Sequence, residues 1–172
     1  EIMTKQQKIT TLEIEVRMMQ HLDFRTNLIV PNVSWGIPID WNASGNRKYG
    51  NLHECDLLSL SVAGYATEVE IKVSKADLIK DDAKKHSHDH NLIKYLYFAV
   101  PKKLEAIALE VIPERAGLFV IERMTHNSYL KVKCVKRAKQ RKDVLKWSDH
   151  QRYVLARLGA MRIVGLKQKL IK

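Results

Sequence analysis

The sequence has little of what marks secreted or membrane proteins. It contains only two cysteines, Cys55 and Cys134, and no CxxC pair, which disfavours both a disulfide framework and a cysteine-rich zinc site. It has no apolar run of about 18 residues, which excludes a typical transmembrane helix. The first eight residues are polar and lack the apolar centre of a signal peptide. These absences predict a reduced, cytoplasmic protein without a membrane segment.

Acidic residues are scarce in the last quarter of the chain. Residues 131–172 contain 14 Lys or Arg and only two acids, Asp143 and Asp149, which gives a local net charge of +12. Residues 1–130 contain the other 16 basic and 17 acidic residues, which gives −1. A one-sided basic segment is typical of proteins that bind a polyanion, most often nucleic acid. A solubilising tail, or affinity for ribosomes or a membrane surface, is the alternative.

The order of helical and strand-like segments predicts one α/β domain with a mixed central β-sheet flanked by helices. The first helix is expected to end near Leu22 and to bury a stripe of Leu12, Val16 and Met19. Residues 34–50 are expected to form a long loop. Strand patterns occupy 27–33, 52–62, 66–73, 93–100, 117–122 and 129–135, and further helical patterns occupy 75–80, 102–111 and the segment after Ser148, where Val154, Leu155, Leu158 and Met161 share one face.

Three charged residues interrupt the two strand patterns of a predicted hairpin. Asp56 lies in the first strand. Glu70 and Lys72 lie two residues apart in the second strand, so their side chains point to the same face. Charges inside a β-forming stretch are costly unless they are paired or bind a metal. An aspartate and a glutamate on neighbouring strands can hold a divalent cation and leave the lysine ammonium near a reacting water, an arrangement suited to metal-assisted phosphodiester cleavage.

A purely structural interpretation of the same residues is the alternative. Acids and lysines on one strand face commonly form cross-strand ion pairs on a solvated sheet. Glu54 shares a face with Asp56, and Glu68 shares a face with Glu70. We expect Glu54 and Glu68 to be solvent-facing charges rather than additional ligands.

The order of these segments resembles that of the PD-(D/E)xK nuclease superfamily. A first helix carries a glutamate, Asp56 lies in a strand, a short turn follows, Glu70-Ile71-Lys72 lies in the next strand, and a helix comes after it. The likeness is strongest over 27–113, where NLIVPNVSWG, LHECDLL, GYATEVEIKVSKADLIKD and IKYLYFAVP are similar to small members from phages and bacterial mobile elements. No proline precedes Asp56, which departs from the Pro-Asp pair of the motif. The resemblance implies a restriction-endonuclease-like core.

The resemblance also implies roles for individual residues. Asp56 and Glu70 would bind Mg²⁺ or Mn²⁺, and Lys72 would be the catalytic lysine. The helix glutamate that completes many such sites would be Glu13 or Glu15, and Glu13 is preferred because the likeness begins at LEIEV. The expected activity is that of a metal-dependent DNA endonuclease in phage biology, recombination or repair, in a bacterium or a phage-infected cell. The alternative is a non-catalytic nucleic-acid-binding module with the same fold.

The DNA partner is expected to meet the basic part of the chain. The nuclease-like core is assigned to 1–130, and the basic strand and helix of 131–172 are expected to pack on it or extend it. The predicted contacts to the DNA backbone are Lys84, Lys85, Lys131, Lys133, Lys136, Arg137, Lys139, Arg141 and Lys142. A homodimer is a further expectation, because two cuts in a duplex are often made by two-fold pairs.

Overall fold

A six-stranded mixed β-sheet with helices on both faces forms the body of the computed structural model. The structure describes residues 8–33, 38–41, 47–49, 54–82, 90–124 and 129–171, and for 38–41, 47–49, 81 and 82 it describes the backbone alone. The helices are α1 (Thr11–His21), α2 (Lys75–Asp82), α3 (Glu105–Val111) and α4 (Asp149–Ile171). The strands are β1 (Leu28–Val33), β2 (Pro38–Trp41), β3 (Arg47–Tyr49), β4 (Cys55–Leu60), β5 (Ala66–Ile71), β6 (Ile93–Pro101), β7 (Gly117–Arg123) and β8 (Leu130–Lys136).

The strand order in the large sheet is β1-β4-β5-β6-β7-β8. Neighbours are antiparallel from β1 to β5, parallel from β5 to β7 and antiparallel again between β7 and β8. The predicted α/β class, with a mixed sheet flanked by helices, is confirmed. Pro31 lies in the edge strand β1, where a residue without an N–H is tolerated.

Local sequence signals fix where the elements near the hairpin begin and turn. Thr10 and Glu13 form a capping box at α1: the Glu13 N–H donates to Thr10 Oγ1 at 3.2 Å and the Thr10 N–H donates to Glu13 Oε2 at 2.8 Å. Ser74 Oγ accepts a hydrogen bond from the Asp77 N–H at 3.2 Å where α2 begins. Gly64 turns the chain between β4 and β5 with a φ of +87°, which glycine adopts without steric cost.

Helices cover both faces of the sheet. On one face, Ile14 and Met18 of α1 pack in an apolar cluster with Val69 and Ile71 of β5. On the other face, α2 and α3 pack over β6 and β7 in a second cluster. A third cluster joins α4 to β1 and β4 on that same face.

The two clusters on the second face are separated along β5. Ala66 belongs to the cluster under α4. Leu96 and Phe98 belong to the cluster under α2 and α3, and they stand opposite Glu68 and Glu70 in the parallel register. Two carboxylates of β5 therefore lie between two apolar clusters on this face of the sheet.

The predicted apolar stripe of α1 is right only in part: Met19 is partly buried against the core, and Met18, expected on the flank of the stripe, is fully buried. Leu12 and Val16 are 67% and 48% exposed, whereas Ile14 and Met18 are fully buried. The segment offers two apolar stripes at helical spacing, and the contacts with β5 decide which of them turns inward.

The predicted face of α4 is right only in its first half. Val154, Leu155 and Leu158 are buried, but Met161 is 51% exposed. α4 packs on β1 at the edge of the sheet, and the described residues 159–171 include no buried side chain.

The prediction of a continuous loop over 34–50 is also incomplete. β2 and β3 pair there as a small antiparallel hairpin, with Asp40 opposite Lys48. Strands of three and four residues are too short to give a readable alternation of polar and apolar side chains. Lys84 and Lys85, two of the predicted DNA contacts, lie outside the described residues. In the parts of the chain that the structure describes, no helix has the length and apolar character needed to cross a membrane.

Candidate functional site

The strands β4 and β5 separate at one end of the hairpin, and the predicted site residues lie there. The ladder between them ends with the pair Leu57 and Val69, although both strands continue. At the next position, Asp56 turns its carboxylate toward β5, where its Oδ2 accepts a hydrogen bond from the Ile71 N–H at 2.7 Å. The Asp56 carboxylate thus accepts a hydrogen bond that a backbone carbonyl would accept in a regular ladder. This bond fixes the position of the Asp56 side chain relative to Glu70.

Lys72 joins the two predicted metal ligands. Its Nζ lies 2.7 Å from Glu70 Oε2 and 3.9 Å from Asp56 Oδ2. The two carboxylate oxygens, Asp56 Oδ2 and Glu70 Oε2, therefore both lie within 3.9 Å of one ammonium nitrogen. The Lys72 side chain is 13% exposed and that of Asp56 is 36% exposed, so the group opens to solvent on the aspartate side. The structure brings together the three residues that the sequence pattern singled out.

The surroundings of Glu70 disfavour its charge. Its side chain is only 6% exposed. Burial raises its pKa from 4.5 to about 7; the charges of Asp56 and Glu68 add to this effect, and Lys72 opposes it. Glu70 Oε2 accepts from Lys72, whereas the buried Oε1 has no hydrogen-bond partner among the described residues. A buried oxygen without a donor costs free energy, and a cation beside it would remove that cost.

The prediction that Glu68 faces solvent is wrong. Glu68 is completely buried, since apolar clusters flank its position on this face of the sheet. Burial, followed by the charges of Glu68, Glu70 and Asp56, raises the pKa of the buried Cys55 thiol. Glu54, for which the same prediction was made, is exposed.

The two glutamates of α1 face different partners. Glu13 Oε1 accepts from Arg123 at 2.6 Å, and this bond, followed by those from Thr10, lowers its pKa to about 2. Burial raises the pKa of Glu15; a hydrogen bond from Asn32 opposes this shift and the charge of Asp56 adds to it. Glu13 is therefore committed to Arg123 and Thr10, whereas the charge of Asp56 acts on Glu15, and the choice of Glu13 as the helix glutamate of the site stays a prediction.

The sequence held a signal that could have separated these two glutamates. Thr10 and Glu13 have the T-x-x-E spacing of a capping box, which commits the Glu13 carboxylate to the start of the helix. Asn32, which contacts Glu15, was not a candidate, because nothing in the sequence indicates that it stands opposite Asp56 in the sheet.

The donor set of this end of the sheet suits a hard divalent cation. Mg²⁺ and Mn²⁺ prefer carboxylate and water oxygens, and Glu70 Oε1 is a buried carboxylate oxygen that lacks a donor within the described part of the chain. The same part contains no group of three or more His, Cys, Asp or Glu arranged as a complete metal centre. The residues present therefore fit a cation held by two protein carboxylates, with water or phosphate oxygens completing its coordination.

The predicted DNA contacts of the basic segment divide into engaged and exposed side chains. Lys139 and Arg141 form ion pairs with Glu114 and Asp143, and the Lys136 ammonium donates to a backbone carbonyl at 3.3 Å. Lys131, Lys133, Arg137 and Lys142 are exposed, as is the ion-paired Lys139. Two of these lie on the edge strand β8, where lysines also discourage pairing with another sheet.

Comparison with known proteins gives a likeness at the level of the fold. No family model and no curated protein matches the chain. The solved structure of a protein of unknown function from Silicibacter pomeroyi is similar, with a TM-score of 0.58 and 21% sequence identity over 96% of this chain and 94% of that chain. The two chains share an overall fold along nearly their whole lengths, and this likeness carries no statement about activity.

Proposed function

We propose that the protein is a metal-dependent DNA endonuclease with a restriction-endonuclease-like core. Its active site would be Asp56, Glu70 and Lys72 at the open end of the β4–β5 hairpin. The observation that carries the proposal is that one ammonium contacts both carboxylates while one buried carboxylate oxygen lacks a partner in the described part of the chain. The resemblance to PD-(D/E)xK nucleases supports the type of reaction.

Each residue has a distinct task in this proposal. Asp56 and Glu70 would hold Mg²⁺ or Mn²⁺, and Glu15 is the acid of α1 whose pKa the charge of Asp56 raises. The bound ion supplies Lewis-acid activation of the scissile phosphate and lowers the pKa of a water. The Ile71 N–H orients Asp56. Lys72 orients the attacking water and stabilises the negative charge that develops on the phosphate oxygens, which a fixed cation in a partly buried site does effectively.

The charge distribution supports nucleic acid as the substrate. Residues 131–172 carry a net charge of +12, and part of this charge lies on exposed side chains that the structure leaves available to phosphates. Contacts of this kind position a duplex without reading its sequence, so the proposal favours recognition of the DNA backbone or its shape. A homodimer would present two such sites to the two strands of a duplex.

A non-catalytic nucleic-acid-binding module is the second candidate function. It is favoured by the direct bond between Lys72 and Glu70, since a purely structural ion pair would have the same geometry. In that case the basic segment binds nucleic acid and the charged cluster has no part in chemistry.

One incubation separates the two candidates. The purified protein is mixed with supercoiled plasmid, branched DNA and single-stranded DNA in Mn²⁺, in Mg²⁺ and in EDTA, beside Asp56→Ala purified in the same way to control for contaminating nucleases. The proposal predicts cleavage of at least one substrate that requires the metal and is absent from the variant. Binding without cleavage in every condition favours the module, and equal cleavage by the variant contradicts the assignment of the site.

A further inference from the structure

The segment between β8 and α4 crosses one end of the large sheet. Residues 137–147, the basic connector, contain five Lys or Arg and a single acid. Backbone hydrogen bonds tie the connector to the beginnings of three parallel strands. They run from the Lys139 N–H to Arg115 O at 2.8 Å, from the Arg141 N–H to Lys94 O at 3.1 Å, from the Leu145 N–H to Asn91 O at 2.8 Å and from the Trp147 N–H to Gly64 O at 2.9 Å. The connector therefore passes the amino ends of β7, β6 and β5 in turn.

Trp147 fixes the far end of the connector. Its side chain is buried in the apolar cluster under α4, and its Nε1 donates to the Leu92 carbonyl at 2.9 Å. A buried indole with a satisfied N–H contributes strongly to packing and holds the adjoining chain in place. The basic side chains of the connector are therefore carried by a fixed backbone, which distinguishes the connector from a solubilising tail.

Several cations at this end of the sheet have no acid beside them. Arg137, Lys142 and Lys146 are exposed. Two ammonium groups also share one aromatic ring, since Lys94 Nζ lies 4.2 Å and Lys146 Nζ lies 5.5 Å from the centroid of the Tyr65 ring. Within the described part of the chain, no acid forms an ion pair with either of these two lysines. Like charges that are held close together in this way attract an anionic ligand.

The connector and the candidate active site lie at opposite ends of the sheet. Glu70 and Lys72 are at the carboxyl end of β5, whereas the connector crosses its amino end. β5 runs from Ala66 to Ile71, so about 17 Å of strand separates the two ends at 3.3 Å per residue. This exceeds the screening length of about 8 Å at physiological ionic strength. Because a duplex is stiff over about 150 base pairs, a straight duplex that lies across one end of the sheet does not reach the other end.

We propose that the basic connector is a second nucleic-acid-binding site, which holds the sugar-phosphate backbone of a DNA segment other than the one at the cleavage site. This inference rests on the proposed function and extends it, because the substrate then supplies two segments of a long or branched DNA. A membrane surface is a poorer ligand, since binding to it requires an apolar face. In the connector, all of which the structure describes, Leu145 is the single large apolar side chain that is exposed. Lysines and arginines without apolar neighbours are typical of phosphate contacts.

The test measures affinity for a fluorescein-labelled duplex of about 12 base pairs, or roughly 40 Å, by fluorescence anisotropy in EDTA. The connector variant combines Arg137→Gln, Lys142→Gln and Lys146→Gln, all at exposed positions. It should bind the duplex about tenfold more weakly than the wild type at physiological salt. The slope of log Kd against log salt concentration should also fall by roughly 2 to 3, since each lost phosphate contact removes about 0.9. Melting temperatures verify that each variant folds.

The matched control combines Arg157→Gln, Lys167→Gln and Lys169→Gln, which remove the same net charge from exposed positions of α4. Its affinity should stay within about twofold of the wild type, because salt screens a change in charge that is distant from the ligand. Asp56→Asn tests whether the two sites are separate. A duplex that lay across the candidate active site would bind more tightly when this negative charge is removed, whereas a duplex at the connector should bind with unchanged affinity.

The possible failures of the two proposals are distinguishable. Equal weakening by the two triple variants, or tighter binding to Asp56→Asn, overturns the second site and leaves the proposed function standing. Connector-dependent binding to vesicles that contain phosphatidylserine, without binding of the duplex, overturns nucleic acid as the ligand. If the connector variant does not fold, Lys142→Gln decides, and it should lower the salt slope by about 1. Connector-dependent binding of the duplex by a protein that cleaves no DNA in Mn²⁺ supports the nucleic-acid site and overturns the proposed function.

Discussion

Two groups of charged side chains, one at the start of α1 and one at the open end of the hairpin, show how a structural ion pair differs from a candidate reaction centre. At the start of α1, Glu13 has one cationic partner, Arg123, and its remaining acceptor capacity is used by the helix cap. At the open end of the hairpin, Lys72 contacts two acids, and the buried Glu70 keeps an oxygen without a partner in the described part of the chain.

The pKa values of the two groups shift in opposite directions. The bond to Arg123 is the main cause that lowers the pKa of Glu13 to about 2, which is the result of satisfying a carboxylate in its charged form. Burial is the main cause that raises the pKa of Glu70 to about 7. The neighbouring charges of Asp56 and Glu68 add to the shift, and Lys72 offsets only part of it. Carboxylates that are kept together at such a cost are typical of sites that bind or react with something else.

Replacement of Lys72 should have the largest effect of the substitutions that separate the two groups. Lys72→Ala should lower the rate of metal-dependent DNA cleavage by about 10²–10³-fold, the usual effect of losing one fixed electrostatic group. Lys102→Ala is the matched control, because Lys102 is also paired with a glutamate but lies on the surface. The rate is measured on plasmid under single-turnover conditions. Comparable rates for both variants would remove Lys72 from the chemistry.

The raised pKa of Glu70 predicts a pH-dependent loss of stability. The folded state holds the proton up to about pH 7, whereas the unfolded state releases it near 4.5. Glu70 therefore destabilises the fold progressively as the pH rises through this window. Relative to Glu70→Gln, the free energy of unfolding of the wild type should fall by on the order of 3 kcal/mol between pH 4.5 and pH 8. Urea unfolding of both proteins in EDTA checks this; a difference that is the same at both pH values would contradict it.

The two glutamates of α1, Glu13 and Glu15, allow the same comparison between a structural acid and an acid near the candidate site within one helix. Glu15→Gln should weaken Mn²⁺ binding a few-fold, because it removes a negative charge that interacts with Asp56. Glu13→Gln should leave Mn²⁺ affinity unchanged and lower the free energy of unfolding at pH 7 by about 1 kcal/mol, a value reduced by the exposure of the ion pair to solvent.

The stabilising effect of Glu13 should itself depend on pH. Its folded pKa is about 2 against an ordinary value of 4.5, so its contribution is complete above 4.5 and is lost as the pH falls toward 2. Metal titrations and urea unfolding of both variants provide the measurements. If Glu13→Gln weakens Mn²⁺ binding and Glu15→Gln leaves it unchanged, the assignment of the helix acid is reversed.

The sequence was sufficient for the order of the helices and of the six strands of the large sheet, and for the convergence of Asp56, Glu70 and Lys72. Both follow from short-range rules: residues two apart on a strand share a face, and a tight turn brings neighbouring strands together. The choice between the apolar stripes of α1, the burial of Glu68 and the position of Asn32 opposite Asp56 depend on packing and register between distant segments. Spacing in the sequence does not contain that information.

The central claim, that the open end of the hairpin is a cation site, is tested most directly by Mn²⁺ titration of wild type and Asp56→Asn. Asparagine keeps the shape of the side chain and an acceptor for the Ile71 N–H, so the fold is preserved while one negative charge is removed. We expect the wild type to bind Mn²⁺ and the variant to bind it at least tenfold more weakly. Equal affinity in the two proteins, or no binding by the wild type, would contradict the claim.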